Sequence, residues 1–260
     1  MKEPFVAAVQ MNIEIGNKEA NLRNAEKLME NDTPSAWLYV LPELFSTGYE
    51  LKFAEEWAES IPGPTTDVLS MTAKTLGSFV IGSILERREN SKPRNTAIVM
   101  DPEGELVAKY SKMHLFRLVE EDVYLSSGDS FCSFETAYGK IGLALCYDLR
   151  FPELARHLAL DGIQVLLVPA EWPSPRKHPW RTLLQARAVE NQFFVIGANR
   201  VGSDVKSHYF GSSMVVDPFG NILSEGDDKD GIVKAKLDFS LVQKSRNYIT
   251  CYQDRRPNLY

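Results

Sequence analysis

A chain of 260 residues, 44% hydrophobic and 25% charged, is long enough to bury one large core and has the composition of an ordinary globular protein. Its formal charge of -6 and pI near 5.4 exclude a basic face for nucleic acid or for an acidic membrane. It has no leading apolar segment and no apolar run of about 18 residues, which predicts a cytoplasmic protein that neither spans nor enters a membrane.

The first predicted strand is Pro4 to Gln10. Gly16-Asn17 then precedes a helix carrying Leu22, Ala25, Leu28 and Met29 on one face. Trp37 to Leu41 is a second strand, closed by Pro42-Glu43. Strand, helix and strand in this order imply parallel pairing through a crossover. Ser46 to Trp57 reads as irregular to helical. After Pro62-Gly63-Pro64, Thr65-Thr66 is the expected N-cap of a helix through Leu76. Phe79 to Leu85 is a strand and charged Glu86 to Arg94 a surface loop. Asn95 to Met100 and Glu105 to Tyr110 form a hairpin over Asp101-Pro-Glu-Gly104.

Phe131 to Glu135 and Ile141 to Leu145 pair across Tyr138-Gly139-Lys140. The chain continues with helix Pro152 to Asp161, strand Val165 to Val168, helix Pro179 to Asn191 and strand Phe193 to Asn199. Met214 to Asp217 opens a hairpin over Pro218-Phe-Gly-Asn221, Gly231 to Leu237 is the last strand, and the tail from Asn247 is mixed. No linker divides the chain, so residues 1–260 are read as a single domain. A weak internal echo pairs Leu38-Tyr-Val-Leu-Pro-Glu43 with Leu166-Leu-Val-Pro-Ala-Glu171, each followed by an Asp-Pro hairpin. Two such halves suggest a pseudo-symmetric sandwich, with two sheets face to face and helices outside.

Cysteines 132, 146 and 251 are far apart and lack Cys-x-x-Cys spacing, which argues for reduced thiols. His114, His157, His178 and His208 show no metal-binding spacing. Cys146 ends a buried strand just ahead of a helix; that placement suits a nucleophile, although a free cysteine more often fills core. Glu43 and Lys112 likewise end apolar strands. Alone each reads as a solvated surface charge. Together, in Leu41-Pro-Glu-Leu-Phe45, Lys109-Tyr-Ser-Lys-Met-His-Leu-Phe116 and Leu145-Cys-Tyr-Asp148, they point to a cleft at one rim of the sheets.

These stretches, with Cys146-Tyr-Asp-Leu-Arg-Phe-Pro-Glu153, Gln185-Ala-Arg-Ala-Val-Glu-Asn191 and Gly211-Ser-Ser-Met214, resemble the nitrilase superfamily of carbon–nitrogen hydrolases over essentially the whole chain. The resemblance implies a four-layer αββα sandwich, a homodimer, and a Glu-Lys-Cys triad at Glu43, Lys112 and Cys146. It also implies a second carboxylate, which aligns with Glu121 and for which Glu120 is the competitor. Glu43 would take the thiol proton as Cys146 attacks an amide carbonyl, pass it to departing ammonia, then activate water against the thioester. Lys112 and, by the same resemblance, the backbone N–H of Tyr147 would hold the oxyanion. Glu121 would fix the lysine. Amide hydrolysis by this machinery calls for no metal or organic cofactor.

The branch most resembled is the ω-amidases, which implies a small carboxylate-bearing amide such as 2-oxoglutaramate; N-carbamoyl amines, aliphatic amides, nitriles and a catalytically silent binding protein on the same scaffold are the alternatives. Arg150 resembles the arginine of that branch that takes a substrate carboxylate, or else it pairs with Asp148 or Glu153. Arg176 is a second anchor or is solvated, and Tyr49 and Trp172 are pocket walls or core. His114 and Asp148 are expected to be structural hydrogen-bonders, and Cys132 and Cys251 inert.

Overall fold

The computed structural model of the chain describes residues 4–259. Its strands are β1 (Phe5–Gln10), β2 (Leu38–Val40), β3 (Phe79–Glu86), β4 (Arg94–Met100), β5 (Leu106–Ser111), β6 (Ser133–Thr136), β7 (Gly139–Leu143), β8 (Val165–Ala170), β9 (Phe194–Asn199), β10 (Val201–Ser203), β11 (His208–Phe210), β12 (Met214–Val216), β13 (Ile222–Glu225) and β14 (Gly231–Lys236). The α-helices are α1 (Lys18–Glu30), α2 (Ala54–Trp57), α3 (Pro64–Leu76), α4 (Glu121–Tyr124), α5 (Pro152–Leu160), α6 (Lys177–Asn191) and α7 (Ser240–Tyr248).

Two mixed six-stranded sheets result, in the orders β14-β1-β2-β3-β4-β5 and β13-β12-β9-β8-β7-β6. In the first, β1, β2 and β3 run parallel; in the second, β7, β8 and β9 do. Strand alternation divides the first sheet between two cores. Val6, Ala8, Leu38, Val40, Ala97 and Val99 face the second sheet, whereas Ala7, Val9, Tyr39, Ile98 and Met100 pack under α1 and α3. Both faces are buried, so these strands read in the sequence as nearly unbroken apolar runs. On the second sheet, α5 and α6 bury Leu154, Leu158, Trp180 and Leu184 into the shared core. The layers are those of the αββα sandwich.

The internal echo is a real relation between the halves. The order β1-β2-β3-β4-β5 in one sheet is matched by β7-β8-β9-β12-β13 in the other. Glu43 therefore follows β2 as Glu171 follows β8.

Several local expectations differ from the structure. The N-cap of α3 is Gly63, because Pro64 takes the first helical position; Thr66 Oγ1 instead accepts from the Gly63 N–H at 2.6 Å. Gly139 and Lys140 belong to β7 rather than to a turn, since Thr136 pairs directly with Gly139. Strand β7 stops at Leu143, and a 3₁₀ turn over Cys146–Arg150 precedes α5. The helix α7 and the β10–β11 hairpin were not expected.

Candidate active site

Pro42 cannot donate to a ladder, so the strand pairing of β2 ends beside it and the chain turns. Leu44 makes that turn in the left-handed region at φ 44, pinned by its N–H donating to Ser83 Oγ at 2.7 Å. Phe45 passes beneath Gly82, where an added Cβ would stand 2.7 Å from its ring. Leu41, Leu44 and Phe45 are fully buried, and so is Glu43 among them in the chain.

Lys112 follows β5 and is 1% exposed. Its ammonium donates to Glu43 Oε1 at 2.8 Å, to Glu121 Oε1 at 2.6 Å and to the Tyr49 hydroxyl at 3.2 Å. Burial works against its charge, but the carboxylates of Glu121 and Glu43 outweigh that, holding the ammonium well above its usual range. Glu121 opens α4 directly after Glu120, whose φ of 59 marks a sharp turn. Burial raises the Glu121 carboxyl against the pull of Lys112. Its Oε1 also accepts from Tyr49 at 2.5 Å and its Oε2 from the Phe116 N–H at 2.6 Å. Glu120 is exposed, so the carboxylate at the lysine is Glu121.

Cys146 begins its 3₁₀ turn at φ 42, a conformation that costs a non-glycine residue roughly 1–3 kcal/mol and persists because its surroundings fix it. Asp148 supplies much of that fixing. It accepts from the Leu145 N–H at 3.0 Å, the Tyr110 hydroxyl at 2.7 Å and the His114 N–H at 3.0 Å, and its other contact is His114 Nδ1 at 2.7 Å. These bonds tie the cysteine turn to the segment carrying Lys112. Burial first, and then the Glu43 charge, push the Cys146 thiol well above its ordinary range, while Lys112 pulls it down. A thiol held this way rests protonated and needs a base when it attacks.

Glu43, Tyr49, Lys112, Glu121 and Cys146 line one cavity of about 750 Å³. Arg176 is half-buried in its wall with the guanidinium over the Phe116 ring at 5.6 Å, and no ion pair among the described residues engages it. The structure does not bring Arg150 or Trp172 to the cavity. Trp172 is 3% exposed, packs on Trp180 at 5.5 Å and donates from Nε1 to the Arg176 carbonyl, so it is core rather than wall. The exposed Arg150 guanidinium lies over the Trp172 ring at 4.8 Å and pairs with neither Asp148 nor Glu153. Tyr147 packs its ring on Phe116 and Phe151, beside the cysteine. No cluster of three metal-ligating side chains occurs among the described residues.

Sequence reasoning missed three contributors. Asn95, the second residue of β4, donates to Glu43 Oε1 at 2.8 Å; the hairpin pairing of its strand with the one that precedes Lys112 was the available signal. Glu171 also lines the cavity, and its backbone N–H donates to Glu43 Oε2 at 3.2 Å. Its carboxylate meets the fully buried Arg200 at 2.8 Å. The echo with Glu43 marked Glu171 in the sequence.

The profile of the carbon–nitrogen hydrolase family matches residues 5–247. The chain is 38% identical to a 2-oxoglutaramate amidase of Bacillus subtilis strain 168, with 98% of each chain covered. It is 35% identical to the omega-amidase NIT2 of Pongo abelii, over 98% of this chain and 96% of that one. XC1258 of Xanthomonas campestris, a CN-hydrolase superfamily protein solved with an arsenic adduct in its active site, superposes with a TM-score of 0.92 at 30% identity, covering 98% of both chains. With this fold, this cavity and these relatives, the chain belongs to the carbon–nitrogen hydrolase family of the nitrilase superfamily.

Proposed function

We propose that this protein is a cysteine-dependent ω-amidase, hydrolysing the terminal carboxamide of a small dicarboxylic acid monoamide such as 2-oxoglutaramate. The supporting relatives are the two amidases above. One observation carries the mechanism: the Lys112 ammonium bridges Glu43 and Glu121 in a cavity that also holds Cys146.

Cys146 Sγ attacks the carboxamide carbon while its proton passes to Glu43. Oxygen takes the negative charge as the tetrahedral intermediate forms, and Lys112 with the Tyr147 N–H stabilises it. Collapse breaks the C–N bond; Glu43 returns the proton to nitrogen and ammonia leaves. Water then gives a proton to Glu43 and its oxygen to the thioester, releasing the carboxylic acid and the thiol. Glu121 and Tyr49 hold the lysine. Arg176, with no carboxylate of the protein paired to it, takes the distal carboxylate of the substrate. Arg150 acts one layer out, through Trp172, whose indole N–H holds the Arg176 backbone.

Three free cysteines fit a reducing, cytoplasmic setting. Exposed Leu160 on α5 and Val189 on α6 fit a second copy of the chain packing there as a homodimer. Ammonia release should be measured across ω-amides, N-carbamoyl amines, simple aliphatic amides and nitriles. The reading expects the highest kcat/KM for ω-amides with a free distal carboxylate. A preference for N-carbamoyl amines, or no turnover of any amide, would reject it.

A further inference from the structure

Glu43 has little acceptor capacity to spare. Its Oε1 receives Asn95 and Lys112 and its Oε2 receives the Glu171 N–H, which leaves one site, the one the proton of Cys146 takes in the mechanism above. A primary carboxamide brings two N–H bonds into this space, and a buried donor left unpaired costs binding. The neighbouring Glu171 carboxylate is 5% exposed and lines the cavity. Arg200 Nη1 holds its Oε2 at 2.8 Å, whereas its Oε1 has no protein partner among the described residues. Arg200 itself is fixed by Asp204 at 3.0 Å and by the Ile13 carbonyl at 2.8 Å, with Tyr209 stacked 4.2 Å from its guanidinium. The carboxylate is thus held on one oxygen and unpartnered on the other, which is buried, next to Glu43 rather than at the Arg176 wall.

We infer that Glu171 Oε1 is the acceptor for an N–H of the scissile carboxamide, so that Glu171 selects amides over isosteric acyl donors lacking that hydrogen. This rests on the amidase reading above. The amide is oriented with one N–H on Glu171 and its nitrogen lone pair left to take the proton from Glu43. Glu171 is a specificity residue in this scheme: it exchanges no proton and forms no bond to the acyl group.

The test compares a dicarboxylic acid monoamide with the methyl ester of the same acid above pH 7, where the Glu171 carboxyl is ionised and accepts, for the full-length wild type and for Glu171→Gln. The glutamine keeps the side-chain volume and offers its carbonyl to Arg200, which turns its NH₂ toward the position of Oε1, donor against donor. Because kcat/KM covers the steps through acylation, the expected result is a loss about tenfold or more greater for the amide than for the ester. Glu171→Met, which removes the acceptor without adding a donor, should shift the ratio in the same direction. Thermal unfolding of each variant guards against a folding defect. Equal losses for amide and ester would overturn the inference by reducing Glu171 to a prop for Arg200. A loss in kcat alone for both substrates would also overturn it, assigning Glu171 to the hydrolytic water, and so would unchanged kinetics. Wild type that hydrolyses the ester but no amide would sink the amidase reading itself, a result distinct from any of these.

Discussion

The two halves of this molecule place a glutamate at the same point, after the second parallel strand of each sheet, and use it differently. Glu43 is met by a lysine that also contacts Glu121 and Tyr49, all on the cavity. Glu171 is met by an arginine buried behind the wall, tied to Asp204 and to the Ile13 carbonyl. An ammonium is a compact charge that leaves room for a developing oxyanion, whereas a guanidinium fork suits a fixed carboxylate. Pseudo-symmetry supplied two carboxylates at one rim. Their cations determine which one is free to move protons.

The comparison breaks most visibly at Glu43. Glu43→Gln should lower kcat for an ω-amide by about 10³-fold, the scale of a lost general base, with the unfolding midpoint little changed; steady-state ammonia assays alongside thermal melts check both. Lys112→Met should cost about 10²–10³ in kcat, read in the same assay. Arg200→Met should act on the other half through stability. It strands Glu171 and Asp204 without their partner, costing about 3–5 kcal/mol in denaturant unfolding. Arg176→Ala should raise KM about 10–100-fold with kcat nearly unchanged, and only for substrates with a distal carboxylate.

The smallest effect sharpens the comparison through pH. Burial chiefly raises the Glu171 carboxyl to about 7, with the charges of Glu43 and Asp204 adding to the rise and Arg200 opposing it; Tyr209 also faces the group. A carboxyl raised in the folded state favours folding while protonated. That stability is fully present below the unfolded value near 4.5 and is lost as pH rises through about 7. Glu171→Gln should therefore flatten the stability profile between those values, as followed by denaturant midpoints. A slope identical to that of wild type would show that Glu171 does not titrate there.

Much of the site was legible because its signals are local. Glu43, Lys112 and Cys146 each lie just past the end of a strand within a distinctive short motif, and burial on both faces makes β2 ahead of Glu43 conspicuous. What escaped depends on contacts between distant segments. Asn95 reaches Glu43 across 52 positions, and Arg200 reaches Glu171 across 29. The α7 helix buries only Val242 and Ser245, too thin a stripe to show a helical period. Trp172 read equally well as wall or core, and its packing on Trp180 decides for core.

The most direct test of the account is the intact mass of the protein quenched during turnover of 2-oxoglutaramate. The mechanism predicts an added acyl mass, mapped to Cys146 and absent in Cys146→Ala. Turnover by wild type with no adduct at any quench time, together with undiminished ammonia release by Cys146→Ala, would contradict it.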